Sequence, residues 1–387
     1  MVNVLGIGLD YLMLLDDKVR GDVRERQLEY AKRLESLTLI VYSPKELGLK
    51  NQKWADNLWI YPTNSKNKMA FILDALKIAK KICRARKRDV ITTEDPFTTG
   101  FVGYLLKRKF KIPLNVQMHI DFYDNPYWIE DEKINRVFNK MGKWLVKRAD
   151  TLRMGTSREK KKLENIGIPV EKLYVIPVDS KPGNFGRVSG EQIRNKYCKN
   201  KFNKMILFVG RFTRQKDIPT LLRTFSLVMK NLPATLLVLV GTGKEENNLK
   251  TLVDALNLTQ NTIFAGAIPH NLIPEYLAAS DVFVVPSIFE GTCIALAEAA
   301  MSGKPIVSTD VAGVDDLMIN GKTGYIVRQR DYREMAEKIM YLLNNPQKAK
   351  NLGELARNYV ERQFDENKDI DGLINLWEHT AEIKVKK

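Results

Sequence analysis

Short apolar runs alternate with amphipathic stretches along the whole chain. In the first half, the runs at 2–9, 37–42, 89–93 and 113–118 predict strands. Between them, 23–34, 66–88 and 98–109 repeat apolar side chains at the spacing of one helix face. The rhythm is clearer in the second half, where 205–209, 235–240, 262–265, 282–285 and 305–308 are short and almost continuously apolar. Strands covered on both faces, as in a parallel sheet, have that pattern. Helical stretches separate them, as right-handed β-α-β crossovers require. A polar stretch at 181–201, with Gly183, Gly186 and Gly190, lies between the two series and is the expected hinge. The prediction is an α/β protein of two doubly wound domains facing each other across a cleft, with ligands at the carboxyl ends of the strands. Ile370, Leu373, Ile374 and Trp377 predict a last amphipathic helix.

Composition narrows the class. The 387 residues are 44% hydrophobic and 28% charged, which excludes disorder, collagen and coiled coil. No uncharged apolar stretch reaches the roughly 18 residues of a membrane span. The first nine residues are too short and uncharged for a signal peptide. Cys83, Cys198 and Cys293 form no CxxC pair, so a reducing cytoplasm is expected. Charge changes the picture more. The chain carries +16, and residues 1–200 alone hold 39 basic against 24 acidic side chains. Such a field favours an anionic partner for the first half, either phospholipid head groups or nucleic acid.

Several motif matches fail. Asn320, Gly321, Lys322 and Thr323 resemble the end of a P-loop, but Asp316 stands where its first glycine is required. Gly241-Thr-Gly243 is half of a dinucleotide fingerprint with Glu246 in the last place, so a tight turn after a strand is the better reading. The three histidines are isolated, and no His, Cys or carboxylate cluster has metal-ligand spacing.

What survives lies at 284–307. A buried strand ends at Pro286-Ser287, a loop carries Glu290, Gly291 and Thr292, and a helix holds Glu298 among Ala295, Ala297, Ala299 and Ala300. With Thr292 as the cap, that helix start is an anion site suited to a diphosphate. Glu298 would lie about two turns into the helix, on the order of 10 Å along its axis from Glu290. One carboxylate could then address a reacting sugar while the other accepts from ribose hydroxyls. Earlier, Gly210, Arg211, Arg214 and Lys216 follow a strand, where cations can neutralise a leaving diphosphate.

These residues resemble a known family. Glu290, Gly291 and Glu298 look like the E-x7-E motif of family 4 glycosyltransferases, retaining enzymes of the GT-B fold. Gly210-Arg211 through Lys216 resembles their G-R-x4-K motif, and Gly241-Thr-Gly243 their V-G-x-G turn. The run 278–287 resembles the A-x-x-D-V-x-x-x-P-S segment that precedes E-x7-E, and 320–324 their D-G-x-T-G hairpin. In the first half, Gly21 is similar to the glycine whose amide approaches the donor phosphate, with Asp22 where a second glycine is usual. His119 and Asp121 look like the family's H-x-D element. Other departures are Thr292-Cys293 in place of Phe-Gly and Asp217 in place of the glycine after the lysine.

The resemblance implies an acceptor domain at 1–184, with 366–387 crossing back onto it, and a donor domain at 198–365. It implies transfer of a hexose from a UDP- or GDP-sugar to a hydroxyl acceptor, with retention and with no cofactor or metal. Arg211 and Lys216 would stabilise the leaving diphosphate, Glu290 would position the sugar, and His119 would bond a sugar hydroxyl. Glu298 would hold the ribose, with Gly291, Thr292, Cys293, Gly210, Gly241, Gly21 and Ile268 lining the donor site. The basic helical stripe with Lys77, Lys80, Lys81, Arg84, Lys87 and Arg88 is joined by Lys107, Lys109, Lys140, Lys143, Lys147 and Arg148 in the same domain. It suggests peripheral binding to an anionic membrane and a lipid-linked glycan acceptor. A sugar-nucleotide epimerase of the same fold and a nucleic-acid-binding protein are the alternative readings; the second has no recognition module in the sequence.

Overall fold

The computed structural model describes residues 1–15, 23–177, 185, 188–199, 201–362 and 366–385. The chain divides into two compact units, Met1–Asp179 with Asn367–Lys387, and Ser180–Glu366.

The first unit holds strands β1 (Asn3–Gly8), β2 (Ser36–Val41), β3 (Gln52–Ala55), β4 (Leu58–Pro62), β5 (Val90–Thr93), β6 (Leu114–Met118), β7 (Thr151–Met154) and β8 (Leu173–Val175). They form one sheet in the order β3-β4-β2-β1-β5-β6-β7-β8. Every pair is parallel except β3 with β4. The apolar runs that predict β1, β2, β5 and β6 are there because both faces are covered: Val4, Leu5, Leu37, Ile40, Val90 and Ile91 are fully buried. The closing helix Glu366–Glu382 packs onto this same unit. Trp377 meets Tyr30 edge to face at 5.7 Å, and Thr380 hydrogen-bonds Thr151 at 2.7 Å.

The second unit holds β9 (Lys204–Val209), β10 (Thr235–Val240), β11 (Thr262–Gly266), β12 (Val282–Val285), β13 (Ile306–Thr309) and β14 (Tyr325–Val327). Its sheet is wholly parallel, in the order β11-β10-β9-β12-β13-β14. The chain runs outward from β9 to β11 and then returns to the other side of β9 with β12. The gap between the tips of β9 and β12 is therefore a topological switch point, where open α/β sheets bind ligands. In the first sheet the corresponding gap lies between β1 and β5.

The expected hinge needs correction. Gly183 and Gly186 lie outside the described residues, but Glu191–Tyr197 is a helix. It belongs to the second unit: Ile193 is buried in that core, and Arg194 bonds the carbonyl of Ala279 and the carboxylate of Asp281.

Candidate active site

The loop after β9 runs through Gly210, Arg211 and Phe212 into a short turn of helix, Arg214–Lys216. The loop after β12 carries Ser287 to Cys293 into the helix Ile294–Met301. The two loops are tied backbone to backbone, since Ile288 N–H donates to the Gln215 carbonyl at 2.9 Å. Thr309, at the tip of β13, fixes the second loop by donating to the Ser287 carbonyl at 2.6 Å.

Glu290 sits at the junction, only 5% exposed. Its Oε1 accepts from Lys216 Nζ at 2.6 Å and from Ser287 Oγ at 2.5 Å, and its Oε2 accepts from Gln215 Nε2 at 3.3 Å. The carboxylate thus spans the β9–β12 switch point, and its desolvation is offset by one cation and two neutral donors. Lys216 is therefore not an uncommitted cation. Arg211 is: its side chain is exposed, and among the described residues it makes no ion pair or hydrogen bond. Arg214 is held on the surface by Glu245 at 3.6 Å.

Glu298 is the fifth residue of its helix, a little over one turn in and not two. It is 5% exposed, packed among buried alanines as expected. Its Oε1 lies 2.6 Å from His270 Nε2, on the loop after β11. Phe185 meets the His270 ring edge-on at 6.1 Å. Ile268 on that loop packs against the core of this unit. The structure brings Lys216 to Glu290 and His270 to Glu298 as two separate pairs, and leaves Arg211 open.

The helix cap differs from expectation. Cys293, not Thr292, occupies the N-cap, and no side chain bonds the helix start. Ile294 N–H instead reaches the Thr292 carbonyl at 2.9 Å. The buried Cys293 Sγ points to the Ala312 carbonyl at 3.6 Å. Gly291 is buried beside it. An uncapped start of this kind leaves amide donors for an anion.

The glycines have packing reasons. Gly241 has φ +131°, and a Cβ there would fall 1.9 Å from the Gly210 carbonyl oxygen. The tight turn after β10 is what lets the loop carrying Gly210 and Arg211 lie against it. Asp217 takes φ 42°, the left-handed region that a glycine occupies without cost. Its Oδ2 accepts from Thr220 Oγ1 at 2.7 Å.

In the first unit, Gly21 lies outside the described residues. His119 follows β6 with solvent access. The protein packed around it, with the charges of Arg153 and Arg26, lowers its pKa below the ordinary imidazole range, so the ring is neutral. It can then both donate and accept at one sugar hydroxyl. The switch point of this unit holds a residue that the motifs passed over. Glu94, at the tip of β5, accepts from Leu9 N–H at 2.8 Å, beyond the tip of β1. Burial first, then the neighbouring Asp10 and Asp95, pushes its pKa up to about 7 against the pull of the Leu9 amide and Arg26. Gln215 and Ser287, in contrast, stand inside the quoted motifs and could have been found there; His270 belongs to the 267–270 segment expected at the nucleotide base, but its pairing with Glu298, 28 positions away, could not have been found.

The basic stripe is narrower than its sequence suggests. Arg88 is buried and bonds Ser36 and Thr38, because the helix ends at Ala85 and the chain turns extended at Arg86. Lys87 pairs with Asp89, Lys107 with Asp150, and Lys143 with Asp124. Arg148 stacks over Trp144.

Comparison with known proteins bears on the family and the fold. Residues 28–178 match the family described as Glycosyltransferase Family 4, and residues 189–359 match Glycosyl transferases group 1. A capsular polysaccharide biosynthesis glycosyltransferase, CapM of Staphylococcus aureus, is 29% identical over 50% of this chain and 53% of its own. The sucrose-phosphate synthase of Thermosynechococcus elongatus has the same fold, with a TM-score of 0.83 at 20% identity over 97% of this chain and 98% of that one. Anabaena HepE, solved with UDP and glucose, superposes with a TM-score of 0.76 at 16% identity over 98% of this chain and all of its own. Two parallel α/β units with a conjoined glutamate and lysine at the second switch point, matched along both halves, place the chain in the group 1, family 4 glycosyltransferases of the GT-B fold.

Proposed function

We propose that this glycosyltransferase moves a hexose from a nucleoside-diphosphate sugar to a hydroxyl of a lipid-linked glycan, with retention and without a metal ion. The observation that carries the reading is the Lys216–Glu290 pair at the β9–β12 switch point, with Arg211 on the same loop as Lys216 and without an ion pair among the described residues. A leaving diphosphate supplies the counter-charge that Arg211 lacks, and the uncapped start of the helix Ile294–Met301 adds amide dipoles. Glu298, set by His270, takes the ribose hydroxyls. Glu290, set by Lys216, Ser287 and Gln215, takes the sugar.

In the proposed step the bond from the anomeric carbon to the phosphate oxygen breaks first. The acceptor oxygen then bonds the same face of that carbon while its proton passes to the departing phosphate oxygen. UDP-glucose is the first donor to try, because a solved structure of the same fold holds UDP and glucose; GDP-glucose is the second. The basic first half supports an acceptor met at the anionic cytoplasmic face of a membrane.

The test is single-turnover product stereochemistry together with Arg211→Ala. Because Arg211 is exposed and unpaired, the variant should melt with the wild type while kcat falls by about a hundredfold or more. Inverted product, or a variant with near-normal turnover, defeats the assignment. Turnover of the donor to a second sugar nucleotide with no acceptor present would indicate the epimerase instead.

A further inference from the structure

We infer that the solvent face of the helix Ala70–Ala85, with the residues just before it, docks onto an anionic phospholipid bilayer. The helix buries Phe71, Ala75, Leu76, Ala79 and Ile82 in the first unit. Its outer face is unusual in carrying large apolar side chains in the open: Met69 is 70% exposed and Leu73 72%. Along the same stripe, at intervals of three and four, follow Lys77, Lys80, Lys81 and Arg84. Leu73 and these four cations line an open depression of about 610 Å³.

This face gathers four uncommitted cations and exposed apolar side chains on a single helix. Elsewhere in the unit Lys87, Lys107 and Lys143 pair with carboxylates and Arg88 is buried, while Lys109, Lys140 and Lys147 are exposed without an ion pair among the described residues but stand on other elements. Lys77, Lys80, Lys81 and Arg84 have no ion pair among the described residues. The helix Thr98–Phe110 packs against this one, and Asn135–Val146 packs against that in turn. On the third helix Val137 is exposed, as is Ile134 just before it.

Uncommitted cations alone would suit any polyanion. Leu73 and Met69 decide for lipid, since aliphatic side chains gain from entering an acyl layer and offer no ring on which a base could stack. This deepens the lipid-linked acceptor reading above, but its test uses no glycosyl transfer, so either can fail alone.

The experiment is partition of the full-length protein onto vesicles of phosphatidylcholine, and onto vesicles with a third of that lipid replaced by phosphatidylglycerol. Binding should be at least about tenfold stronger to the anionic vesicles and should weaken steeply with salt. Lys77→Gln/Lys80→Gln/Lys81→Gln should lower it by about tenfold or more. Leu73→Gln should lower it severalfold with the salt dependence unchanged. Both variants should keep the wild-type melting temperature, because none of these side chains is part of the core. Equal binding to both vesicle types, wild-type partition by the triple variant, or tighter binding to a random-sequence oligonucleotide than to the anionic vesicles would each overturn the proposal.

Discussion

Lys216 Nζ and Glu290 Oε1 meet at 2.6 Å across the tips of β9 and β12, joining two loops that are 74 residues apart in the chain. The side chains are only 19% and 7% exposed, so neither charge is well hydrated without the other. The pair sets the geometry of the loop that opens the helix Ile294–Met301, and Arg211 is left to act on its own.

Breaking the pair from the lysine side should be costly. Lys216→Ala leaves a buried carboxylate with neutral donors only, so urea unfolding should show a loss of about 3 kcal/mol or more. Glu290→Gln keeps acceptors for Lys216 and Ser287 and should cost clearly less, while kcat falls as much or more. Equal destabilisation by the two substitutions would mean that burial of the charge is not what the contact manages.

His270 should behave as a positioning residue for Glu298. His270→Ala removes the group 2.6 Å from Glu298 Oε1 while exposing little, since the His270 side chain is already 50% open. The expected signature is a rise in donor KM of about three- to tenfold, with kcat nearly unchanged. A fall in kcat at constant KM would place His270 in the chemistry instead.

Glu159 makes stability depend on pH. It is 2% exposed, and burial, followed by the negative charge of Asp121, raises its pKa from 4.5 to about 8, against the Thr156 and Gly155 donors. Between those two values the folded protein holds a proton that the unfolded chain has released. Its favourable contribution is therefore complete below pH 4.5, is lost progressively as pH rises to about 8, and is flat above that. Glu159→Gln removes the titration and keeps an acceptor for Thr156. Relative to wild type, the variant should gain up to a few kcal/mol on going from pH 5 to pH 8 in denaturant melts. An unchanged difference between the two proteins at both pH values would refute this.

Two backbone positions should respond in opposite senses. Asp217→Gly relieves a left-handed conformation at the loss of one hydrogen bond to Thr220, so stability should hold or rise by up to about 1 kcal/mol. Gly241→Ala drives a methyl group into the Gly210 carbonyl at a positive φ and should destabilise by about 3 kcal/mol or more. Thermal melts of the two variants read both effects directly.

The parallel core was legible because its strands are nearly continuous apolar runs. The strands that no run announced are short or lie toward the edges: β3 and β4 mix Gln52, Lys53, Trp54 and Trp59 with apolar residues, β7 is four residues with Arg153 among them, and β8 and β14 are three residues each. Helix periodicity placed Lys77, Lys80, Lys81 and Arg84 correctly on the outer face, and failed at Arg88 because the repeat was extended past the real helix end at Ala85. Thr292 was a reasonable cap by residue type, but the loop geometry set by Ser287 and Thr309 starts the helix one residue later than that cap would.

By itself, the sequence determined two α/β units with parallel cores, since short continuous apolar runs alternating with 3.6-residue repeats show in any short window, and its motifs marked the strand tips at which the chemistry would gather. Only the tertiary structure decided the state of each charge: Lys216 bound to Glu290, Glu298 bound to His270, Arg88 buried, and Arg211 open. Those outcomes depend on which loops the sheet order brings together, and a pairing over 74 positions leaves no periodic trace in the chain.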